Sequence, residues 1–390
     1  MDERIPKRIL IFSLAYYPHV GGAEVAVKEI TDRISDTEFH LVTMRFSPEE
    51  SSEEKIGNVF VHRIGNNSSR LSKFFFQFFA ARKASSLHRQ HHFDAVWAMM
   101  AHSSGVPAGL FKTFHPEVKY LLTLQEGDPP EYIERLMFPL WPLFKRGFTK
   151  ADAVAAESTF LGRWARRMGF MGPLEVIPNG VDAGRFSQVY SAEELATTRA
   201  KIGKKEGDVW LIHTGRLVHK NALDVVIRAL PFLPMHLHFF IIGDGPDAQA
   251  LANLAEKCGV TERVHFHPYV PLEDIPNYLK ACDIFIRPSR SEGMGNSFIE
   301  AMAAGLPVVA TQEGGIADFL YDAKRNPEKE TTGWAVDIDS PEQIAEAVKD
   351  IIAHPEVVAR VTGTAKKLVF GKYDWNLIAR DMIEIWQKFT

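Results

Sequence analysis

The chain has 390 residues, with 45 Lys and Arg against 49 Asp and Glu for a formal net charge of -4, and 46% hydrophobic residues. That length exceeds the roughly 250–300 residues at which a single core stops growing, so two domains are expected. The charge excludes a global attraction to nucleic acid. The cysteines, Cys258 and Cys282, exclude a disulfide framework and a thiolate metal cluster, and they fit a reducing compartment.

At the start, Lys7-Arg8 precede "ILIFSLAYY", which imitates the first two parts of a secretory leader. No small-residue cleavage pattern follows, and "YPHVGGAE" reads as a turn opening a helix, so a buried first strand is expected. No stretch reaches the ~18 consecutive apolar residues of a membrane-spanning helix. A cytoplasmic protein is the expectation. Further along, "EFHLVTMRF", "FDAVWAMM", "VKYLLTLQ", "ADAVAAES" and "PLEVIPNGV" read as strands, several apolar on both faces as in covered parallel sheets. Between the first two of these lies Arg70–His92, "RLSKFFFQFFAARKASSLHRQHH", with five phenylalanines, five Lys and Arg and no acid. In one helix Phe75, Phe78 and Phe79 share a face, which Phe74 and Phe76 widen. Two readings stand: a helix packed on the sheet with a basic outer face, or a helix lying on an anionic membrane.

The second half repeats the alternation with "VWLIHTGRL", "LHFFIIGDG", "RVHFHPYV", "CDIFIRPS", "LPVVATQEGG" and "GWAVDID", separated by segments such as "ALDVVIRALPFL". Two doubly wound α/β units in series are expected. The polar connection between Asn179 and Asp208 puts the first domain at 1–185 and the second at 186–370. Residues 371–390 form a last helix free to pack back on the first domain.

In such sheets ligands bind beyond the carboxyl ends of strands. "SRSEGMGNSFIEAMAAG" places a strand end, a glycine loop and a helix start together, with Glu292 and Glu300 eight positions apart. Gly293 and Gly295 allow close backbone approach around Met294, and the N–H groups near Asn296 and Ser297 suit an anion. The carboxylates suit neutral hydroxyls on either side of it. A phosphate between two hydroxyl-rich rings fits: a sugar nucleotide. Near the start, Gly21 and Gly22 open a helix after a strand, an anion-compatible geometry or a plain tight turn.

"EGMGNSFIEAM" resembles the Glu-x7-Glu signature of glycosyltransferase family 4, retaining enzymes with the GT-B fold. The resemblance spans nearly the whole chain through "YYPHVGGAE", "VIPNGVD", "HTGRLVHKNALDVVIRAL", "FFIIGDGP" and "GLPVVATQEGG". It implies two facing Rossmann-like domains with the active site in the cleft. It implies Glu292 on the transferred sugar, Asn296 and Ser297 amides on the diphosphate, Glu300 on the ribose, and Gly21-Gly22 near the donor phosphate. Gly243 belongs to the turn beneath the base, beside the Tyr269–Val270 backbone. Arg216 matches the family's phosphate arginine. Lys220 lies one position early for its lysine, whose gapless place is Asn221, an amide that is also a candidate for acceptor or sugar contact. Many relatives carry a sugar-binding histidine where this chain has Gln125. His102, after another strand, is either a cleft group or a buried or capping histidine.

The expected activity is transfer of a hexose from a UDP- or GDP-linked donor to a hydroxyl of a lipid-linked or glycan acceptor. It needs no cofactor and no metal, with Arg216 and Lys220 taking up leaving-group charge. The alternative is a catalytically silent sugar-nucleotide-binding protein. Two imitations are set aside. "GDGPDA" fits a dinucleotide fingerprint, but the next strand ends without the acidic residue a ribose needs. "DID" at Asp337–Asp339 imitates a metal motif but precedes a helix start at Ser340-Pro341, so a capping role is expected. No His, Cys, Asp and Glu cluster has metal-ligand spacing.

Overall fold

A computed structural model describes residues 7–67 and 69–389. The chain divides into two compact units, one of residues 1–179 with 375–390, the other of 180–374. The boundary lies before the 185/186 division expected from composition. The short helix Ala183–Ser187 buries Phe186 among Trp210, Phe285 and Phe298, in the core of the second unit. Tyr373 joins that same core, so the second unit runs on to Asp374.

The first unit contains an eight-stranded sheet. Its strands are β1 (Arg8–Phe12), β2 (Glu38–Met44), β3 (Glu53–Ile56), β4 (Val59–Ile64), β5 (Ala95–Met99), β6 (Lys119–Leu124), β7 (Ala153–Ala156) and β8 (Leu174–Val176). They lie in the order β3-β4-β2-β1-β5-β6-β7-β8, all parallel except β3. Alternation decides the layers. Leu10 and Phe12 face one core with Phe111 and Leu122, while Ile9 and Ile11 face another with Trp97 and Phe39. The terminal helix Trp375–Phe389 covers this second face. Trp375, Ile378, Met382, Ile385 and Trp386 are buried there, and Trp386 meets Trp97 edge-on at 5.5 Å between ring centres.

The strands read from the sequence omit the β3–β4 hairpin. Glu53, Glu54 and Lys55 make β3 an exposed charged edge, which blocks further pairing and hides the strand from a hydrophobic pattern. The helix Arg70–His91 shows how its aromatic stretch divides. Phe76, Ala80, Ala84 and Leu87 pack on the sheet, with Phe76 2% exposed. Phe74, Phe75, Phe78 and Phe79 face outward, Phe79 being 58% exposed.

The second unit contains a six-stranded parallel sheet: β9 (Val209–Thr214), β10 (Leu237–Ile242), β11 (Val264–His267), β12 (Ile284–Arg287), β13 (Val308–Ala310) and β14 (Trp334–Ala335). The order is β11-β10-β9-β12-β13-β14. The chain reverses direction across the sheet between β9 and β12, which makes their carboxyl ends the topological switch point where ligands bind in this architecture. In the first unit the same reversal falls between β1 and β5. Among the described residues no helix is long and apolar enough to cross a membrane.

Candidate active site

At the second unit's switch point, β12 ends in Arg287, and its loop leads to the helix Asn296–Ala304. Arg287 is almost fully buried and spends its planar fork on three partners. Nη1 donates to Ser297 Oγ at 2.9 Å, while Nη2 donates to Asn221 Oδ1 at 3.0 Å and to the carboxylate of Glu292. Its Cζ lies 5.1 Å from the centre of the Phe298 ring. Sequence reasoning missed Arg287. The available signal was a lone cation closing the apolar strand "DIFIR", a place where a charge survives only if partnered.

The glycines have geometric work here. Gly295 caps the helix at φ 86°, and a Cβ there would stand 2.6 Å from the Phe298 ring. No side chain caps this helix, and its first turn carries no acid, so the N–H groups at Asn296 and Ser297 retain their affinity for an anion. Gly293 and Met294 are buried beneath the loop. From the "QEGG" turn, Gly315 N–H donates to Glu292 O at 3.0 Å. A Cβ on Gly314 would come within 1.9 Å of that same oxygen. This turn therefore clamps the backbone of Glu292.

The loop after β9 carries Arg216, which is exposed, and the turn His219–Asn221. Asn221 is a correction to the expectation of a sugar-contacting amide. It is buried, donates to Arg216 O at 2.6 Å and accepts from Arg287, so it holds the loop instead of facing a ligand. Lys220 is half-buried, and its carbonyl accepts from Arg290 N at 2.7 Å. The Arg290 side chain joins this loop to its surroundings through Asp224 at 2.8 Å and Asp339 at 2.7 Å. The "DID" segment is thus an ion-pair partner. Asp339 binds Arg290, Asp337 binds Arg325 at 2.8 Å, and Ser340 caps nothing with its side chain, contrary to the capping expectation.

Gly243 sits at the end of β10 with φ 137°, and its missing Cβ makes room for Gly215 O, which would lie 2.0 Å away. The "GDGP" turn is therefore packed against the loop after β9. At the end of β11, Tyr269 is exposed and Val270 buried. Below the site, His213 is fully buried with no hydrogen bond to either ring nitrogen. Burial, and then the Arg287 charge, hold its pKa well below the usual histidine range, so the ring is neutral. Glu300 is half-buried one face further along the helix. Desolvation pushes its carboxyl up to about 7, against the opposing pull of Arg287 and Arg185.

In the first unit Gly21 and Gly22 begin the helix Gly22–Thr31 at the carboxyl end of β1. Gly21 N–H donates to Glu24 Oε2 at 2.8 Å, so one N–H of this loop is already taken. Burial raises the Glu24 carboxyl above its usual range, against the lowering effect of backbone N–H groups including that of Gly21. Gln125, at the end of β6, lies in an oriented relay. Glu157 accepts from Asn179 Nδ2 at 3.1 Å, and Asn179 Oδ1 accepts from Gln125 Nε2 at 2.7 Å. A carboxylate at the head of the relay only accepts, so each amide is turned one way and Gln125 presents its Oε1. That oxygen is buried and has no partner. His102 follows β5 in a π-helical turn, Ala101–Gly105. Its Nδ1 lies 3.5 Å from the buried carboxylate of Glu126, which also accepts from the backbone N–H of Ala101, His102 and Gln125. Glu126 is a second residue the sequence reading missed. It occupies the helix start at His102 and leaves no anion site there.

A two-domain α/β protein of the GT-B fold is what the two sheets define, and known proteins of that fold share it. A profile of glycosyl transferases group 1 matches residues 172–368, and one of glycosyltransferase family 4 matches residues 20–185. The GDP-mannose-dependent alpha-(1-6)-phosphatidylinositol monomannoside mannosyltransferase of Mycolicibacterium smegmatis is 31% identical over 246 residues, 60% of this chain and 62% of that enzyme. The chain thus matches about three fifths of that relative's length. The lipopolysaccharide core biosynthesis glycosyltransferase LpsE of Rhizobium meliloti is 26% identical, over 61% of this chain and 65% of that protein. Sucrose-phosphate synthase from Thermosynechococcus elongatus superposes with a TM-score of 0.83 at 18% identity, covering 98% of each chain. HepE of Anabaena, solved in complex with UDP and glucose, superposes at 0.79 with 19% identity, covering 98% of this chain and 100% of that one. The chain belongs to glycosyltransferase family 4.

Proposed function

We propose that the protein is a retaining, metal-independent hexosyltransferase using a UDP- or GDP-linked sugar. The observation that carries this is the switch-point site of the second unit. An uncapped helix N-terminus at Asn296–Ser297 stands beside a carboxylate, Glu292, held by buried Arg287. An anion belongs at the former and hydroxyls at the latter. In the proposed reaction the bond from the anomeric carbon to the diphosphate oxygen breaks. Arg216, Lys220 and the Asn296 and Ser297 amides take up the charge. Glu292 Oε2 is engaged by Arg287, and Oε1 accepts from a sugar hydroxyl. Glu300 accepts from the ribose, and Tyr269 and Val270 border the base. The acceptor oxygen bonds to the anomeric carbon on the face the diphosphate leaves, and its proton passes to the departing phosphate oxygen. No cofactor takes part. Gln125 Oε1, the open end of its relay, accepts from a hydroxyl of the transferred sugar or the acceptor.

The acceptor is proposed to be a lipid-linked or glycan hydroxyl in envelope synthesis. Relatives named for phosphatidylinositol mannoside and lipopolysaccharide core synthesis support this. The outward face of the helix Arg70–His91 supports peripheral attachment, since Leu71, Phe74, Phe75, Phe78 and Phe79 are exposed beside Arg70, Lys73 and Arg82. A Phe75→Ser, Phe79→Ser variant is expected to fold, yet to lose sedimentation with anionic vesicles at low salt. The deciding experiment is a panel of UDP- and GDP-hexoses with lipid and glycan acceptors, scored for product anomer and for insensitivity to chelator. An inverted product, or a strict metal requirement, overturns the mechanism. Tight UDP or GDP binding without turnover favours the silent binding protein.

A further inference from the structure

Away from the carboxyl-edge loops, the first unit assembles a histidine cluster from distant parts of the chain. Glu38 and His40 project from one face of β2, where residues two apart align. His91 ends the helix Arg70–His91, and its ring, tilted 44° to that of His40, lies 4.3 Å from it, centre to centre. Ligand atoms of Glu38, His40 and His91 lie within 4.8 Å of one another. Behind them runs a chain of contacts. His40 Nε2 meets Glu38 Oε1 at 3.0 Å, His40 Nδ1 meets His62 Nε2 at 3.0 Å, and His62 Nδ1 meets Glu53 Oε1 at 3.2 Å.

The hydrogens in this chain do not balance. Both ends are carboxylates, which only accept, so the links need one hydrogen each. Two neutral imidazoles supply one hydrogen each, which leaves one link without. A third proton would complete the chain as an imidazolium. A cation at His40 Nε2 completes it differently. His40 then donates from Nδ1 to His62, and His62 donates from Nδ1 to Glu53, so both rings stay neutral and every remaining hydrogen is used. This is the outer-shell arrangement in which a metal-bound imidazole is oriented by a further acceptor.

We propose that Glu38, His40 and His91 bind one divalent zinc-class ion. Two imidazoles and a carboxylate suit zinc, with a water completing four-coordination. The ion ties the end of the helix to β2. Arg8, whose Nε lies 3.2 Å from Glu38 Oε1, opposes it, so the affinity is expected in the micromolar range. Lys83 sits one step removed, 2.9 Å from Glu53 Oε1. A neighbouring group, His88, His115 and Glu117, fits less well. His88 Nδ1 accepts from Phe93 N–H at 3.1 Å, which fixes the ring hydrogen on Nε2, the nitrogen turned toward Glu117.

The test uses the full chain stripped with chelator and titrated with zinc chloride by calorimetry at neutral pH. One equivalent is expected to bind and to raise the melting temperature. Cobalt is expected to give the intense visible bands of a four-coordinate site. His91→Ala, at a half-exposed helix end where folding is undisturbed, is expected to weaken zinc binding by roughly tenfold or more. His115→Ala is expected to leave it unchanged. Absence of a bound equivalent in the wild type, undiminished binding in His91→Ala, or loss in His115→Ala overturns the assignment.

Discussion

The two units carry their loops at the same edge of similarly ordered sheets, but they fill that edge with different chemistry. In the second unit a buried guanidinium, Arg287, gathers Glu292, Asn221 and Ser297 around an open helix N-terminus. In the first, buried carboxylates fix the direction of neutral groups: Glu157 orients Asn179 and Gln125, and Glu126 fastens His102. Cationic and dipolar groups suit a diphosphate, whereas an oriented amide carbonyl suits a hydroxyl. The difference teaches that one architecture supplies the place, and the residue closing each strand supplies the preference.

The largest effect is expected from breaking the charged side of this contrast. Arg287→Ala leaves Glu292 buried beside no cation and removes the donors of Asn221 and Ser297. It is expected to destabilise the second unit by about 3–5 kcal/mol, read from denaturant unfolding, with Arg287→Lys recovering part of the loss. A variant as stable as the wild type would show that Glu292 does not depend on its partner.

Glu292→Gln is gentler, because an amide still accepts from Arg287. Transfer is expected to fall by about 2–4 kcal/mol in transition-state stabilisation, while UDP or GDP binding is retained. Undiminished turnover would remove Glu292 from the sugar site.

Arg216→Ala is expected to weaken nucleoside diphosphate binding by roughly tenfold, the worth of a lost charge-assisted hydrogen bond. Lys220→Ala is expected to weaken it less, since its turn is held through the backbone by Arg290. Titration of both variants checks the order, and a larger loss at Lys220 reverses the assignment of the principal phosphate cation.

The smallest effect concerns Glu300. Its carboxyl is held at about 7 in the folded chain against 4.5 ordinarily. Hydroxyl binding needs the carboxylate, so nucleotide affinity is expected to climb as pH rises through about 7, and Glu300→Gln to flatten that climb. The contribution to stability runs the other way. Between 4.5 and about 7 the folded chain holds more protons than the unfolded one, so this contribution falls as pH rises across that window. Parallel calorimetric titrations and thermal melts of the two proteins separate these slopes.

Much of this was legible before folding. Strands with alternating or fully apolar patterns announced both sheets, because period-two burial leaves its mark on composition. Glu292, Gly295 and the helix start at Asn296 were legible because they are local: strand end, loop and helix follow within a dozen residues. Asn221 was misread because position in a motif does not say which way an amide points. Its direction comes from Arg287, 66 positions away. The edge strand Glu53–Ile56 escaped because its charges, useful at a sheet edge, erase the pattern that marks a strand.

What the sequence by itself determined is therefore the order and type of the main elements, the two-unit plan and the loop that carries the signature carboxylates. Those depend on periodicity and on backbone freedom at glycine, both properties of neighbours along the chain. What the tertiary structure alone decided is which polar groups are paired. Arg287 became the centre of its site, Gln125 acquired a single orientation from Glu157, and Glu38 came to share a cluster with His91. Burial makes an unpaired charge or amide costly, and the partner that relieves the cost is supplied by whichever strand or helix folds alongside, at any distance in sequence.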